Sequence, residues 1–293
     1  IANIPYTVYM RPRDKKILSA LLVVGVVAFF MSRSAPPLEV IEETPVDPTE
    51  KPAVNLFPPI FGQREIRPLF SFIEVTDSCG AHYEGECLNV RSEPNATSSS
   101  VMLLRTGVVL PVSEETITDA TGRSWYRVDF REWIRYPERV NGEWYVAADF
   151  VEFLKKPEEE SSPNDQILSN KKIIIDRSEQ MLYAYEGEEL FMEQSVSTGL
   201  DGTPTPRGNF SVLRKTPSRY MQGPLPGISY DYYDLPGVPW SLYFTHEGGA
   251  IHGAYWHNSF GAQWSHGCVN LPLDTAKKLY DWTPVGTPVL VRD

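Results

Sequence analysis

The stretch Ser265-His266-Gly267-Cys268-Val269-Asn270 brings a thiol, an imidazole and a glycine together, and His252-Gly253 lies a short way upstream. Apolar residues flank both stretches and predict buried strands, which would hold reactive groups rigidly. A thiol is a strong nucleophile only as thiolate, and a nearby imidazole with backbone N–H groups favours that form. Gly267 has no side chain, so neighbouring backbone amides have room to face an oxyanion. These residues alone therefore leave two interpretations of Cys268: a nucleophile that works with one of the two histidines, or a buried structural cysteine.

These stretches resemble the signature of the L,D-transpeptidase catalytic domain of bacterial cell-wall enzymes. In that family a His-Gly pair and a loop precede Ser/Thr-His-Gly-Cys, an apolar residue and Arg or Asn; here twelve residues separate His252 from Ser265. Other segments resemble the family's opening hairpin and its Thr-Pro-x-Gly-x-Phe segment: Lys171–Tyr185, Ser195–Gly199 and Thr203–Phe210. The resemblance covers roughly residues 169–293 and implies a β-sandwich with one or two short helices.

The resemblance implies a role for each residue of the motif. Cys268 would attack a peptide carbonyl and form a thioester, with His252 as the general base, oriented by the carbonyl group of Gly253. His266, Gly267 and Cys268 would line the oxyanion site, where backbone amides act as donors. Two further residues would hold the loop by hydrogen bonds: Ser265 and Asn270.

The implied substrate is the stem peptide of peptidoglycan. The enzyme would release the terminal D-alanine of a tetrapeptide and join its third residue to the side-chain amine of a neighbouring stem, without a cofactor. Some relatives carry Arg at the position of Asn270, where it could pair with a substrate carboxylate. Asn270 leaves that carboxylate unassigned, and three arginines are candidates for binding it: Arg207, Arg214 and Arg219.

An irregular stretch precedes the motif. Residues 220–240 are rich in glycine and proline and include the tyrosines Tyr230, Tyr232 and Tyr233, which predicts a stretch without regular structure. Long irregular loops beside a reactive site are commonly lids. The resemblance implies a flap in this part of the chain that lends a tyrosine to the acyl-donor pocket, so Tyr232 and Tyr233 are the predicted substrate-binding residues.

Three other functions fit parts of the same pattern. An L,D-carboxypeptidase would use the same residues with water as the acceptor, and a non-catalytic wall-binding protein would require an inert Cys268. A metal enzyme could draw on the four histidines of this region and Cys268, but no pair has the i,i+4 spacing of ligands on a helix and no carboxylate is interleaved in a recognised pattern. No metal is therefore expected. Two of these histidines, His246 and His257, are interpreted as ordinary loop or strand-end residues, and the other two are His252 and His266.

Alternating apolar residues predict further strands in the catalytic region. Lys172–Asp176 and Gln180–Glu186 alternate on either side of a polar turn and predict a hairpin. One amphipathic helix is predicted at Leu273–Trp282, with Pro272 near its first turn. Four other strands are predicted: Glu189–Ser195, Gly208–Leu213, Ser241–Thr245 and Pro288–Val291.

A basic cluster precedes an apolar run near the start of the sequence. Arg11, Arg13, Lys15 and Lys16 come before the uncharged run Ile17–Ser32. Because basic residues stay on the cytoplasmic side, residues 1–34 are predicted to be a signal peptide or, slightly favoured, an uncleaved membrane anchor. The rest of the protein is then expected in the extracytoplasmic cell envelope, membrane-anchored or secreted. Proline and acidic residues predict extended linkers at 35–68 and 155–168.

Between these linkers, residues 69–154 show short alternating runs separated by turn residues, which predict a small barrel of strands. The order Leu-Asn-Val-Arg-Ser-x-Pro, Gly-x-x-Trp-Tyr-x-Val and a closing Trp-Tyr-Val resembles a bacterial SH3-like domain, with Arg131–Arg139 as an insertion. In that family the module often binds cell wall. Four aromatic residues form either a stacking face for sugar or peptide or, more simply, the core of the barrel: Trp125, Tyr126, Trp144 and Tyr145.

Cys79 and Cys87 bracket a nine-residue loop in a protein that is predicted to reach an oxidising compartment. A disulfide between them would stabilise the fold by about 2–3 kcal/mol. The pairing would leave Cys268 as the odd thiol, and an unpaired cysteine in an exported protein is usually reactive. The alternative, a metal site that pairs one of these cysteines with His82, has too few ligands.

The composition agrees with two modest domains and proline-rich linkers, with 293 residues, 42% of them hydrophobic, and 25 prolines. A formal net charge of −11 argues against nucleic acid or an anionic membrane surface as the main partner. The predicted chain is mainly β. It has an N-terminal membrane segment, a small SH3-like barrel and an L,D-transpeptidase-type β-sandwich at 169–293.

Overall fold

The fold is described from a computed structural model, which covers residues 71–130, 134–154, 170–225, 227 and 229–293. Within these ranges the chain is mainly β with one α-helix, and its strands are numbered β1 to β16 in chain order. The predicted membrane segment (1–34) and both predicted linkers (35–68 and 155–168) lie outside the described residues. In the part of the chain that is described, no helix is long and apolar enough to cross a membrane.

Residues 71–154, called here the first β domain, form a seven-stranded sheet with the order β3-β2-β6-β5-β4-β1-β7. Neighbouring strands in this sheet pair antiparallel. Side chains alternate between the faces of a strand, so Ile73 and Val75 reach the same apolar core as Val90 and Val146. The strands are β1 (Ser71–Val75), β2 (Leu88–Arg91), β3 (Ser100–Leu104), β4 (Val109–Thr118), β5 (Ser124–Val128), β6 (Tyr145–Ala147) and β7 (Val151–Leu154).

The aromatic residues of the first β domain belong mostly to its interior. Trp125 and Trp144 are each 2% exposed, and Tyr145 is 6% exposed. Tyr126 is partly exposed and stacks on Phe153, with ring centroids 6.1 Å apart. The interpretation as core is therefore confirmed for the three buried residues, and a stacking face built from all four aromatics is wrong.

A disulfide joins Cys79 and Cys87 in the loop between β1 and β2. The Cα atoms of the two cysteines are 4.5 Å apart. Within the loop, the backbone N–H of Gly80 donates to the carbonyl oxygen of Glu84 at 2.9 Å. With this pair bonded, Cys268 is the free cysteine of the described chain.

Residues 170–293 form two further sheets that pack face to face. One has the strand order β10-β9-β8-β16-β11 and the other the order β12-β13-β14-β15. Ile173 and Leu182 from the first sheet meet Leu242 and Ile251 from the second in one buried core. The strands are β8 (Lys171–Asp176), β9 (Met181–Glu186), β10 (Glu189–Ser195), β11 (Gly208–Ser211), β12 (Arg214–Gln222), β13 (Asp234–Tyr243), β14 (Ala250–Gly253), β15 (Val269–Leu271) and β16 (Pro288–Arg292).

A single α-helix, α1 (Leu273–Trp282), follows β15 almost directly and packs against β13 and β14. Pro272 is its N-cap residue, and Ala276 and Leu279 are buried in the core of the sandwich. The predicted bounds of the helix are confirmed. The predicted hairpin is also confirmed, because β8 and β9 lie within one residue of the expected ranges.

The prediction of irregular structure throughout residues 220–240 is wrong at both ends. Strand β12 continues to Gln222, and β13 begins at Asp234. Pro236 and Gly237 fall where the pairing register of the two strands shifts, between Arg219 and Met221, so the bulge accommodates residues that a regular ladder would reject. The described residues between the two strands, 223–225, 227 and 229–233, belong to neither strand and are called the flap below.

Gly237 also allows the two halves of the molecule to approach closely. Its φ is +62°, and a Cβ atom at this position would lie 2.4 Å from the carbonyl oxygen of Val109 in β4. Val109 in turn belongs to the core of the sandwich. Conversely, Tyr220 and Val238 of the sandwich pack into the core of the first β domain. The described residues between 71 and 293 accordingly belong to one compact unit.

Candidate active site

The two stretches of the motif meet on adjacent parallel strands. In the β14–β15 pair, Ile251 lies opposite Val269 and His252 lies opposite Asn270. Cys268 immediately precedes β15 and therefore sits beside the start of β14. The chain reaches this point through Gly267, whose φ of +117° favours glycine. Three residue pairs of a buried ladder thus fix the relative position of thiol and imidazole.

The thiol of Cys268 is held in its neutral form by its surroundings. Burial raises its pKa from the ordinary value, while a hydrogen bond from the backbone of Ala250 lowers it by a smaller amount. Little thiolate is therefore present at neutral pH. A base that removes the proton as the substrate arrives becomes necessary for nucleophilic attack.

His252 has the tautomer and the charge of such a base. The side chain is 2% exposed, and its Nδ1 lies 3.1 Å from the carbonyl oxygen of Gly253. A carbonyl oxygen only accepts, so Nδ1 carries the hydrogen and Nε2 keeps its lone pair. Burial lowers the pKa of His252 to about 4. The imidazole is therefore neutral at physiological pH and able to take a proton at Nε2.

Ser265 stabilises the turn that carries the nucleophile. Its hydroxyl donates to the carbonyl oxygen of Cys268 and accepts the backbone N–H of Gly267 at 3.1 Å. The backbone N–H of Ser265 donates to the carbonyl oxygen of Thr198 at 3.1 Å. Thr205 adds a contact of 3.4 Å between its hydroxyl and the Cys268 carbonyl oxygen. These contacts tie the Ser265–Cys268 turn to the segment after β10.

His266 faces the flap. Its Nε2 lies 2.9 Å from a carboxylate oxygen of Asp231, and its ring stacks on that of Tyr233 with centroids 5.4 Å apart. The hydrogen bond from His266 lowers the pKa of Asp231. Burial raises the pKa of Tyr233 to about 12, and the Cys268 charge adds to that shift. Asp231 and Tyr233 are therefore the flap residues that reach the catalytic motif.

The structure separates the two tyrosines that the sequence could not distinguish. Tyr233 lies against His266, and ionisation of Cys268 would raise the pKa of Tyr233 further. Tyr232 is 67% exposed, and its ring lies 4.4 Å from the guanidinium carbon of Arg139. Tyr230 is 94% exposed. Of the predicted pair, only Tyr233 is brought to the catalytic motif.

His257 and Asn270 form a buried polar pair behind His252. His257 is 1% exposed, its Nδ1 accepts the backbone N–H of Ser259 at 3.1 Å, and its Nε2 lies 2.9 Å from the side-chain amide of Asn270. Burial lowers the pKa of His257 to about 4, and His252 contributes to the shift. A neutral ring that accepts at Nδ1 carries its hydrogen on Nε2, which the Nδ2 atom of Asn270 at 2.9 Å cannot accept. The pair therefore requires the Asn270 amide to be turned, so that its oxygen, which is buried and has no partner, faces the ring. His257 does lie in a loop, as predicted, but it is buried and paired with Asn270, which the sequence did not predict.

The remaining candidates for ligand binding lie in different places. Arg207 pairs with Asp293. The guanidinium of Arg214 lies 3.5 Å from the centre of the Tyr243 ring. Burial raises the pKa of Tyr243, whereas the charges of Arg219 and Arg214 lower it and an ionised Cys268 would raise it. Arg214 and Arg219 therefore both lie close enough to Tyr243 to influence its hydroxyl. His246 is exposed, and no group of three or more metal-binding side chains occurs among the described residues.

The two buried histidines predict a loss of stability in mild acid. Their pKa values of about 4 in the folded protein lie below the ordinary 6.5, so stability is full above pH 6.5 and falls as the pH drops towards 4. Each histidine contributes on the order of 3 kcal/mol to this loss. Urea unfolding at pH 7 and pH 4.5 measures it. The decrease in the free energy of unfolding from pH 7 to pH 4.5 is expected to be smaller in His257→Gln than in wild type, and to be unchanged in His246→Gln. An equal decrease in both variants would contradict the assignment.

Comparison with known proteins agrees with this geometry. Residues 170–291 match the family model of the L,D-transpeptidase catalytic domain. Over 107 residues the chain is 34% identical to L,D-transpeptidase 1 of Mycobacterium tuberculosis (strain ATCC 25618 / H37Rv), covering 35% of this chain and 43% of that protein. Over 137 residues it is 28% identical to the Escherichia coli (strain K12) protein named "Probable L,D-transpeptidase ErfK/SrfK", covering 42% and 44%. The matched region is therefore similar to the L,D-transpeptidase catalytic domain, which confirms the resemblance.

The matches extend over limited parts of these proteins. The aligned region spans less than half the length of the two curated relatives. Among solved structures, an L,D-transpeptidase from Mycobacterium smegmatis is 25% identical, with coverage of 63% of this chain and 90% of that one and a TM-score of 0.41.

Proposed function

We propose that this protein is a peptidoglycan L,D-transpeptidase that cross-links stem peptides through a thioester on Cys268. The observation that carries the proposal is the β14–β15 ladder, which places a buried, neutral histidine on one strand and the free thiol one residue before the adjacent strand, within the residues that match the catalytic-domain model. Such a pair suits acyl transfer, because the base is uncharged until it accepts the proton of the nucleophile.

The first half of the reaction would form the acyl-enzyme. Nε2 of His252 takes the proton of Cys268, and the sulfur attacks the carbonyl carbon of the third residue of a tetrapeptide stem. The backbone amide of Gly267 already donates to Ser265, so the Cys268 amide is the better donor to the developing oxyanion. When the intermediate collapses, the C–N bond breaks, the protonated imidazole gives its proton to the leaving nitrogen, and D-alanine departs.

The second half would transfer the acyl group. The side-chain amine of a neighbouring stem attacks the thioester carbonyl and loses a proton to His252. The C–S bond then breaks, the sulfur recovers the proton, and a new amide joins the two stems. No step requires a cofactor or a metal ion.

Mass spectrometry of the products tests the proposal. The full chain is incubated with a tetrapeptide stem that ends in D-alanine and carries a side-chain amine on its third residue. A dimer lacking one D-alanine is the expected product. A tripeptide without dimer would instead identify an L,D-carboxypeptidase, and unchanged tetrapeptide in the presence of folded protein would support a non-catalytic wall-binding protein.

We further propose that the first β domain is an SH3-like module that brings the enzyme to the cell wall, and that residues 1–34 direct the chain out of the cytoplasm as an anchor or signal. The Cys79–Cys87 disulfide supports an oxidising, extracytoplasmic location. Trp125, Trp144 and Tyr145 are buried, so wall binding would have to use other side chains. Binding of the protein to isolated peptidoglycan sacculi, with and without Cys268, tests this role separately from catalysis.

A further inference from the structure

The insertion of the first β domain reaches across to the base of the flap. The backbone N–H of Tyr136 donates to the side-chain oxygen of Gln222 at 2.8 Å, and its hydroxyl donates to the carbonyl oxygen of Pro224 at 2.8 Å. Arg139 donates from Nη1 to the carbonyl oxygen of Gly223 at 2.7 Å. Two residues of the first β domain therefore bind the strand that enters the flap.

The same guanidinium also touches the end of the flap. Nη1 of Arg139 lies 3.5 Å from the carbonyl oxygen of Tyr233. The planar group lies 4.0 Å from the ring of Tyr136 and 4.4 Å from the ring of Tyr232. A guanidinium can contact rings with its faces while it donates hydrogen bonds in its plane, and an ammonium group cannot do both. Arg139 is thus in contact with both ends of the flap.

The flap continues this set of contacts to the catalytic motif. Gly223 and Tyr233 are joined by a backbone hydrogen bond of 2.9 Å, so the position of one end fixes the other. Tyr233 stacks on His266, and the carboxylate of Asp231 pairs with Nε2 of the same histidine. His266 lies two positions before the nucleophile. A continuous series of contacts therefore runs from Arg139 through the flap to the Ser265–Cys268 turn.

We propose that Arg139, assisted by Tyr136, is a positioning residue that holds the flap against His266 and so shapes the acyl-donor subsite. The proposal rests on the proposed function, because it assigns the flap to that reaction. It makes the first β domain part of the active site in addition to any role in wall binding. Without this contact, ordering of the flap would have to occur when substrate binds, and part of the binding free energy would be lost to that ordering.

Hydrogen exchange of the unliganded full chain tests the contact without relying on activity. Arg139→Met removes the hydrogen bonds and the charge while retaining an apolar stem. The amides of Gly223, Leu225 and Ser229, which donate to Tyr233, Ser229 and Leu225, are expected to exchange at least about 10-fold faster, with core amides of both halves unchanged.

A matched control comes from another arginine of the first β domain. Arg123 makes an ion pair of 2.9 Å with Asp149 and lies 5.9 Å from the ring of Phe150, inside that domain. Arg123→Met should leave flap exchange unchanged. Equal exchange of the flap amides in wild type and Arg139→Met would overturn the proposal, as would equal acceleration in both variants.

Kinetics of D-alanine release then connect the flap with catalysis. Arg139→Met is expected to lower kcat/KM by about 10-fold, mainly through a higher KM, since a displaced flap affects substrate binding more than the chemistry of the thiol. Arg139→Lys should give an intermediate value, and Tyr136→Phe, which removes a single hydrogen bond, a smaller effect. A purely structural contact would lower the melting temperature and leave KM unchanged, and that result would overturn the proposal.

The two experiments separate failure of the inference from failure of the proposed function. If the wild-type chain released no D-alanine, the proposed function would be rejected, while the exchange data would still decide whether Arg139 fixes the flap. If wild type turned over normally and faster flap exchange left kcat/KM unchanged, the function would stand and the positioning role would be rejected.

Discussion

Changing Cys268 to alanine is expected to abolish the covalent adduct that intact-mass spectrometry detects after the full chain is incubated with a carbapenem. The strained β-lactam carbonyl of such a compound acylates an activated thiol, and Cys268 is the free thiol of the described chain, since Cys79 and Cys87 are bonded to each other. Wild type should gain the mass of one carbapenem, and Cys268→Ala should gain none.

Two observations would contradict this expectation. An adduct that persists in Cys268→Ala would place the acylated group elsewhere in the chain. The absence of an adduct on well-folded wild-type protein would favour a non-catalytic wall-binding role. His246→Gln, which changes an exposed histidine outside the motif, should react like wild type and serves as the control.

Changing His252 to glutamine is expected to slow carbapenem acylation by about 10²- to 10⁴-fold at pH 7, the range that general base catalysis commonly supplies. The substitution keeps a neutral polar side chain that can still donate to the Gly253 carbonyl, so the fold should persist. Without the imidazole, only the small fraction of spontaneously formed thiolate can attack. Stopped-flow or discontinuous mass measurements of the acylation rate provide the comparison.

The pH profile makes this prediction sharper. In wild type the rate should be nearly constant from pH 5.5 to 8, because His252, with its pKa of about 4, is already neutral and the thiol is still protonated. In His252→Gln the rate should rise about tenfold per pH unit over the same interval, following the thiolate fraction. A near-normal rate with a flat profile in the variant would show that another group, such as His266, serves as the base.

Local patterns were enough to predict much of this fold. The helix Leu273–Trp282 has an apolar face at helical spacing and a proline at its start, and it forms with the expected bounds. The hairpin of β8 and β9 follows from alternation around a polar turn. The motif around Cys268 also identifies the strands that flank it, because a buried parallel pair reads as short apolar runs.

Local sequence patterns could not predict the features that depend on contacts between distant segments of the chain. Pro236 and Gly237 argue against a strand, yet β13 passes through them because a bulge and the close approach of Val109 make both residues suitable. The pairing of His266 with Asp231 joins residues 35 positions apart, and no spacing rule connects them. Likewise, the position of His257 beside Asn270 follows from a loop that folds back onto β15.

The close approach at Gly237 has an evolutionary consequence. A catalytic domain separated from its neighbour by gene rearrangement would expose Tyr220 and Val238 to water, because their partners lie in the first β domain. A replacement module would have to place a backbone carbonyl group where that of Val109 lies, in close contact with Gly237 of the catalytic domain. We therefore expect the two parts to be inherited together, with Gly237 and the residues facing it changing in concert across descendants of this gene.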